Sequence, residues 1–284
     1  MFIRVGFELI FDFPNPTAMI FLLHLLPSRA HDLLHPDQLT ITPAVPITEF
    51  TDWFGNRCAR IMAPAGKLCV TSDTIVVDSG VPDPIIADAV QLPVEDLPSE
   101  VLQFLLPSRY CEVDKLTDVA WNQFGHLPPG WTRAQAVCDW VFNHVEFGYQ
   151  YADPTKGAYE VYQDKKGVCR DFTHLALTLC RALNIPSRYA TGYLGDIGVP
   201  VDSAMDFSAC FQCYLGGRWH TFDARHNIRR IGWILMATGR DAADCAITTS
   251  FGPHILDKFL VWADEVPNGD LVDPRVVDPR LVNI

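Results

Sequence analysis

Two kinds of hydrophobic pattern divide this chain, one with a period near two residues and one with a period near 3.6. The first fills the amino-terminal third. Residues 5–13, 19–25, 49–53, 57–63 and 67–77 are short apolar runs broken by Pro, Asn, Asp and Gly, as strands separated by turns would be. Several short strands at such spacing predict an antiparallel sandwich, with Phe54-Gly55-Asn56 as the hairpin turn between two of them. Residues 79–98 are rich in Pro and Asp and lack apolar periodicity, so they read as a connector.

The longer period takes over near Leu102. Val137, Trp140, Val141 and Val145 stripe one helix, and Thr132-Arg133-Ala134-Gln135 ahead of them predicts a capping box. His144 ends that stripe as a packed or dipole-satisfying histidine, and Trp131 reads as core. A second helix carries Phe172, Leu175, Ala176, Leu179 and Leu183, opens after Gly167 and closes at Asn184 and Pro186. On its wheel Arg170, His174 and Arg181 fall opposite the apolar stripe, and His174 lies too far around from Cys169 to serve it as a base. Residues 207–214 and 218–224 then flank Gly216-Gly217, a two-residue hairpin signal. That loop pairs Leu215 with Arg218, sets Cys210 opposite Asp223 and leaves Ser208 as the diagonal neighbour on the same face. One more strand is expected at 259–264. Beyond Pro267, Asp273-Pro274-Arg275-Val276-Val277 is nearly repeated as Asp278-Pro279-Arg280-Leu281-Val282, and a mobile tail is expected there.

Cys169 stands where a loop becomes a helix. Free backbone N–H groups and the positive end of the helix dipole favour thiolate over thiol, so a lowered pKa and a nucleophilic role are expected. Asp223 closes the hairpin, where it can orient a group at 208 or 210. A cysteine hydrolase needs an imidazole there, to pair with the thiolate and to protonate the leaving group, and the chain has Ser208. Asp171 is expected to accept backbone N–H bonds at the helix start, and Arg240 and Asp241 to form a surface ion pair.

Composition narrows the function. With 22 Lys+Arg against 34 Asp+Glu, the net charge of −12 argues against a nucleic-acid partner. The apolar run 19–26 is too short to span a bilayer, and Glu8 and Asp12 precede it, unlike a secretory leader. A cytoplasmic protein with no membrane partner is expected. Nine cysteines, an odd count, do not form a disulfide framework. Cys210 and Cys213 point to opposite faces of one strand with no second Cys/His pair at ligand spacing, so neither a metal site nor a cofactor is expected. Cys58, Cys69, Cys111, Cys138, Cys180 and Cys245 read as packed thiols.

Three motifs in order carry a family resemblance. Gly-Val-Cys-Arg-Asp-Phe-x-His-Leu-Ala from Gly167, Asn-Ile-Pro-Ser-Arg-Tyr-Ala-Thr-Gly-Tyr-Leu at 184–194 and Tyr-Leu-Gly-Gly-Arg-Trp-x-x-Phe-Asp-Ala at 214–224 resemble the bacterial transglutaminase-like superfamily. The likeness covers about residues 115–250, and the amino-terminal third is similar to the β-domain that accompanies such cores. The resemblance implies an α+β fold: a papain-like transglutaminase core, its nucleophile helix packed on an antiparallel sheet, after an N-terminal β-sandwich. The expected divisions are a sandwich at 1–95, a connector at 96–115, the core at 116–265 and a tail at 266–284. Implied too is a Cys-His-Asp triad in which Cys169 matches the nucleophile and Asp223 the acid. The family histidine, which begins a His-Ala-Trp triplet, aligns with Ser208 in Ser208-Ala209-Cys210.

Three readings of Ser208 stand open: a subgroup that recruits another imidazole, a fold kept as a binding module, or an accidental or engineered replacement of the histidine. For the first, alternation turns His220 to the face opposite Asp223 and leaves His226 as the expected base. Tyr159 and Tyr162 stand where the family often places an aromatic near the oxyanion site. The activity implied is hydrolysis or acyl transfer at an amide, in a peptide or a glutamine side chain, through a Cys169 thioester, with a peptide or protein as partner. The competing readings are a catalytically impaired binding module and redox sensing through Cys169 or Cys210.

Overall fold

Strict alternation builds the first strand, β1 (Phe2–Phe13), in which Ile3, Val5, Phe7, Leu9, Phe11 and Phe13 all bury their side chains. The computed structural model describes residues 1–201 and 205–267. After β1 come β2 (Thr17–Phe21), β3 (Thr40–Thr42), β4 (Thr48–Thr51), β5 (Arg57–Ala63) and β6 (Gly66–Val77). All five apolar runs thus become strands, and β3 is an addition too short to show alternation. Between β4 and β5, Asp52 Oδ1 accepts the N–H groups of Phe54 (2.8 Å) and Asn56 (2.9 Å), which closes the hairpin around the expected turn.

The second half follows as α1 (Val113–Phe124), α2 (Trp131–His144), β7 (Glu146–Phe147), α3 (Ala158–Asp164), β8 (Lys166–Gly167) and α4 (Cys169–Ala182). Then come β9 (Ser187–Leu194), β10 (Ser208–Leu215), β11 (Arg218–Phe222), β12 (Trp233–Gly239), β13 (Thr248–Ser250) and β14 (Ile255–Val266). Strands β9 to β12 form one antiparallel sheet in the order β11-β10-β9-β12, against which α4 packs. The hairpin register is the expected one, Leu215 opposite Arg218. The fold class is therefore α+β.

Three local expectations change. The capping box at Thr132 does not form, because α2 already starts at Trp131 and no side chain caps it. Gly130, at φ 113°, makes the turn instead, and Arg133 is drawn down to the carbonyls of Gly125 and Leu127. Helix α4 is not amphipathic in its surroundings: His174 and Arg181, on the polar side of its wheel, are as buried as Leu175 and Leu179. Arg240 pairs with Asp244, not with Asp241, whose carboxylate turns inward to the N–H groups of Tyr110 and Ala243.

The largest difference is at the carboxyl end. The strand expected to finish the core is β14, and it pairs along β1, while β13 pairs with β2. The sandwich is two four-stranded sheets, β14-β1-β6-β3 and β13-β2-β5-β4, each with an edge strand from the far end of the chain. Packing decides this: Val261 and Ala263 are buried among the sandwich residues, and the Trp262 ring crosses Gly6, where a Cβ would stand 2.4 Å from the indole. Trp262 Nε1 then donates to Asp73 at 3.0 Å. Of the expected tail, Val266 ends β14, and residues 268–284, with their near-repeat, lie outside the described residues. Among the described residues no helix is long and apolar enough to cross a membrane.

Asn56 ties the sandwich to the core sheet. It is fully buried, donates from Nδ2 to the Thr238 carbonyl and accepts the Thr238 N–H at Oδ1, both at 2.9 Å. Asn56→Ala would leave a buried donor and a buried acceptor of β12 unpaired. A loss of about 2–3 kcal/mol in urea unfolding is expected.

Candidate active site

Three elements converge on Cys169. The first is the start of α4, where Cys169 is the first helical residue after Val168. Asp171, fully buried, returns its carboxylate to the Val168 N–H at 2.9 Å and takes the Arg170 guanidinium at 2.9 Å. This is the structural role expected of it, and it fixes the direction in which the thiol leaves the helix. Gly167 leaves room for the Asp171 carboxylate, since a Cβ there would stand 2.5 Å from Asp171 Cβ. Gly167→Ala is therefore expected to cost about 1–3 kcal/mol and to slow alkylation of Cys169, both measurable on one purified variant.

The second element is the edge of β10. Ser208, its first residue, lines the same cleft as Cys169. The third is the loop after β11, where Asp223 accepts the N–H groups of Arg225 (2.9 Å) and His226 (3.1 Å) at Oδ1. With Oδ1 so occupied, Oδ2 meets His226 Nδ1 at 2.7 Å. The carboxylate thereby selects the tautomer with the proton on Nδ1 and leaves Nε2 as the basic nitrogen. His226 lines the cleft with Cys169 and Ser208, together with Phe147, Tyr149, Asp206 and Arg225. The cleft is small, about 60 Å³.

His220 is elsewhere, as alternation predicts: its Nε2 faces the Leu215 carbonyl at 3.1 Å and its ring packs edge-on to Trp131. His174 is buried between the rings of Tyr110 (4.9 Å) and Tyr189 (5.2 Å), with Nε2 accepting the Ala242 N–H. Burial, with Arg170 and Arg181 nearby, holds its pKa well below the usual imidazole value. His144 stacks on Trp140 at 4.1 Å, a packed histidine as expected.

Two expectations about the site fail. Tyr159 and Tyr162 are not at the cleft: Tyr162 stacks on His144, and Tyr159 lies under the Lys115 ammonium. They belong to α3 and do not line the cleft, whereas Tyr149 does. The thiol is not acidified either. Burial first, then the Asp206 carboxylate, push Cys169 up to about 11, against the N–H groups of Ala209 and Arg170, which act in the opposite direction. A helix start alone does not outweigh burial beside a carboxylate.

Sequence reading also passed over Asp206, Arg225 and Phe147. The signal for Arg225 was its place between Asp223 and His226. Phe147 carried none, because only the parallel pairing of β7 with β8 sets it beside Gly167. Cys58, Cys111, Cys138, Cys180, Cys210, Cys213 and Cys245 are buried free thiols, while Cys69 is half-buried. Among the described residues no group of three or more His, Cys, Asp or Glu could hold a metal ion.

A helix that opens on Cys169 packs on an antiparallel sheet whose hairpin ends in Asp223, within an α+β fold. Residues 119–224 match the family model of the transglutaminase-like superfamily. The crystal structure of a candidate cysteine protease from Cytophaga hutchinsonii is 33% identical, with a TM-score of 0.81 over 93% of this chain and 90% of that one. An uncharacterized protein of Mycobacterium leprae is 24% identical over 217 residues, which are 72% of this chain and 75% of that protein. The periplasmic domain of TgpA from Pseudomonas aeruginosa is 13% identical, with a TM-score of 0.38 over 79% of this chain and 90% of that one. The chain belongs to the transglutaminase-like superfamily.

Proposed function

We propose that this protein is a cysteine-dependent amide hydrolase in which His226 stands in for the histidine missing at Ser208. The observation that carries the reading is the 2.7 Å contact between His226 Nδ1 and Asp223 Oδ2, on an imidazole that lines the same cleft as Cys169. His226 Nε2 takes the thiol proton as Cys169 Sγ attacks the carbonyl carbon of a peptide or glutamine amide. The tetrahedral intermediate collapses, the C–N bond breaks, and the same proton passes to the departing nitrogen. Water, deprotonated by His226, then attacks the thioester and releases the acid and the thiol. Asp223 stabilises the imidazolium formed in each half. Hydrolysis is preferred to transamidation because water always reaches an open cleft, whereas amine transfer needs a site that excludes it. The likeness to a candidate cysteine protease supports this reading, and the cytoplasmic placement is part of the same proposal.

An acyl-enzyme tests it directly. On mixing with p-nitrophenyl acetate, intact mass should show one acetyl group, released by hydroxylamine and absent from Cys169→Ala. Equal acetylation of Cys169→Ala would overturn the proposal. Adding glycine methyl ester during turnover should leave acetate as the main product.

A second reading, a binding module built on the same cleft, is favoured by Ser208 at the family histidine position. It requires that no acyl-enzyme form and that Ser208→His create one.

A further inference from the structure

Among the described residues, two charged side chains at the cleft have no partner of opposite sign. The Arg225 guanidinium carbon lies over the Phe147 ring, 3.7 Å from its centre, and among the described residues no carboxylate pairs with it. Its own backbone N–H is spent on Asp223. Asp206, on the approach to β10, faces no cation among the described residues, and burial raises its pKa against the N–H of Phe207. The other arginine of the cleft differs: Arg230, 7% exposed, is committed to the Gly195 carbonyl at 2.9 Å and to Asp196 at 3.1 Å.

Half-buried charges without partners are costly in the empty cleft, and a ligand that brings the complementary groups removes that cost. Stacking on Phe147 also holds the guanidinium in one orientation, so less freedom is lost when a carboxylate docks on its edge. We propose that the cleft takes a zwitterionic substrate, such as a short peptide with free ends, its carboxylate set on Arg225 and its ammonium on Asp206, with the attacked amide between them at Cys169. This rests on the hydrolase reading for the chemistry. The charge selection itself concerns only Arg225, Asp206 and the thiolate.

The probes are iodoacetate and iodoacetamide, which alkylate the same thiolate and differ by one negative charge. The ratio of their rates at Cys169, read by peptide mass spectrometry, cancels the thiolate fraction. Arg225→Gln is expected to lower the iodoacetate-to-iodoacetamide ratio by about threefold or more, Asp206→Asn to raise it by a similar factor, and salt to compress both changes. In the wild type, trialanine with free ends should protect Cys169 from iodoacetamide at concentrations where its N-acetylated, C-amidated form does not. An unmoved ratio in either variant, or equal protection by the two peptides, would overturn the assignment. If no acyl-enzyme forms but the ratios shift and protection is selective, the hydrolase reading falls and the two-charge site stands.

Discussion

With His226 replaced by alanine, alkylation of Cys169 by iodoacetamide is expected to slow markedly near neutral pH. Two opposed influences set this. Burial and the Asp206 carboxylate disfavour the thiolate, and at pH 7 a thiol of that pKa is ionised only to about one part in ten thousand. In the proposed mechanism His226, its Nδ1 proton held by Asp223 at 2.7 Å, takes the thiol proton at Nε2 and then balances the thiolate as imidazolium. Removing it should slow labelling at pH 7 by about 10²–10⁴-fold, the range of a positioned general base. Asp223→Asn should act in the same direction, since it no longer fixes the tautomer. Ser208→His in the His226→Ala background is expected to recover part of the rate, because it returns an imidazole to the cleft that Cys169 lines. A rate and pH profile in His226→Ala that match the wild type would show that His226 does not serve the thiol.

Arg181→Leu is expected to destabilise the protein by about 3–5 kcal/mol, read as a fall in the urea midpoint with an unchanged slope. Arg181 is 2% exposed and belongs to the helix that carries Cys169. Its Nε donates to the Ser187 carbonyl at 2.9 Å, and Nη1 to the Leu106 carbonyl (3.1 Å) and Ser108 Oγ (3.2 Å). Nη2 donates to the Arg240 carbonyl. One guanidinium thus joins α4 to the segment before α1, to the start of β9 and to the loop after β12. Leucine fills much of the space but leaves those acceptors, and the buried Asp241 carboxylate nearby, without a cation. Arg181→Lys should recover little, because one ammonium cannot reach acceptors spread along a planar fork. A loss under 1 kcal/mol would mean that water replaces the arginine, and that the junction is wetter than its burial implies.

Both results depend on how local pattern and long-range contact divide the work. The alternation of β1, the turn around Gly55 and the apolar stripe of α4 are properties of neighbours in the chain, and each became the element its period implied. The two-residue loop at Gly216-Gly217 fixed the register of β10 on β11, because a tight hairpin has only one pairing that suits it. Cys169 and Asp223 were legible for the same reason, and alternation alone separated His226 from His220.

Elsewhere the deciding contacts join residues far apart in sequence. That β14 belongs to the sandwich follows from Trp262 meeting Gly6 and Asp73, pairs no local period can announce. Tyr159 and Tyr162 had the right spacing from Cys169, yet the direction of α3 carries them to His144 and Lys115. The thiol pKa went the same way: the helix start is a local feature, but burial and the Asp206 carboxylate arrive with the fold and push it upward. The sequence by itself determined the alternating strands, the two striped helices, the hairpin register and the family. Only the tertiary structure decided which charges face the cysteine, because an electrostatic environment is the sum of distant groups brought near and of the water they displace.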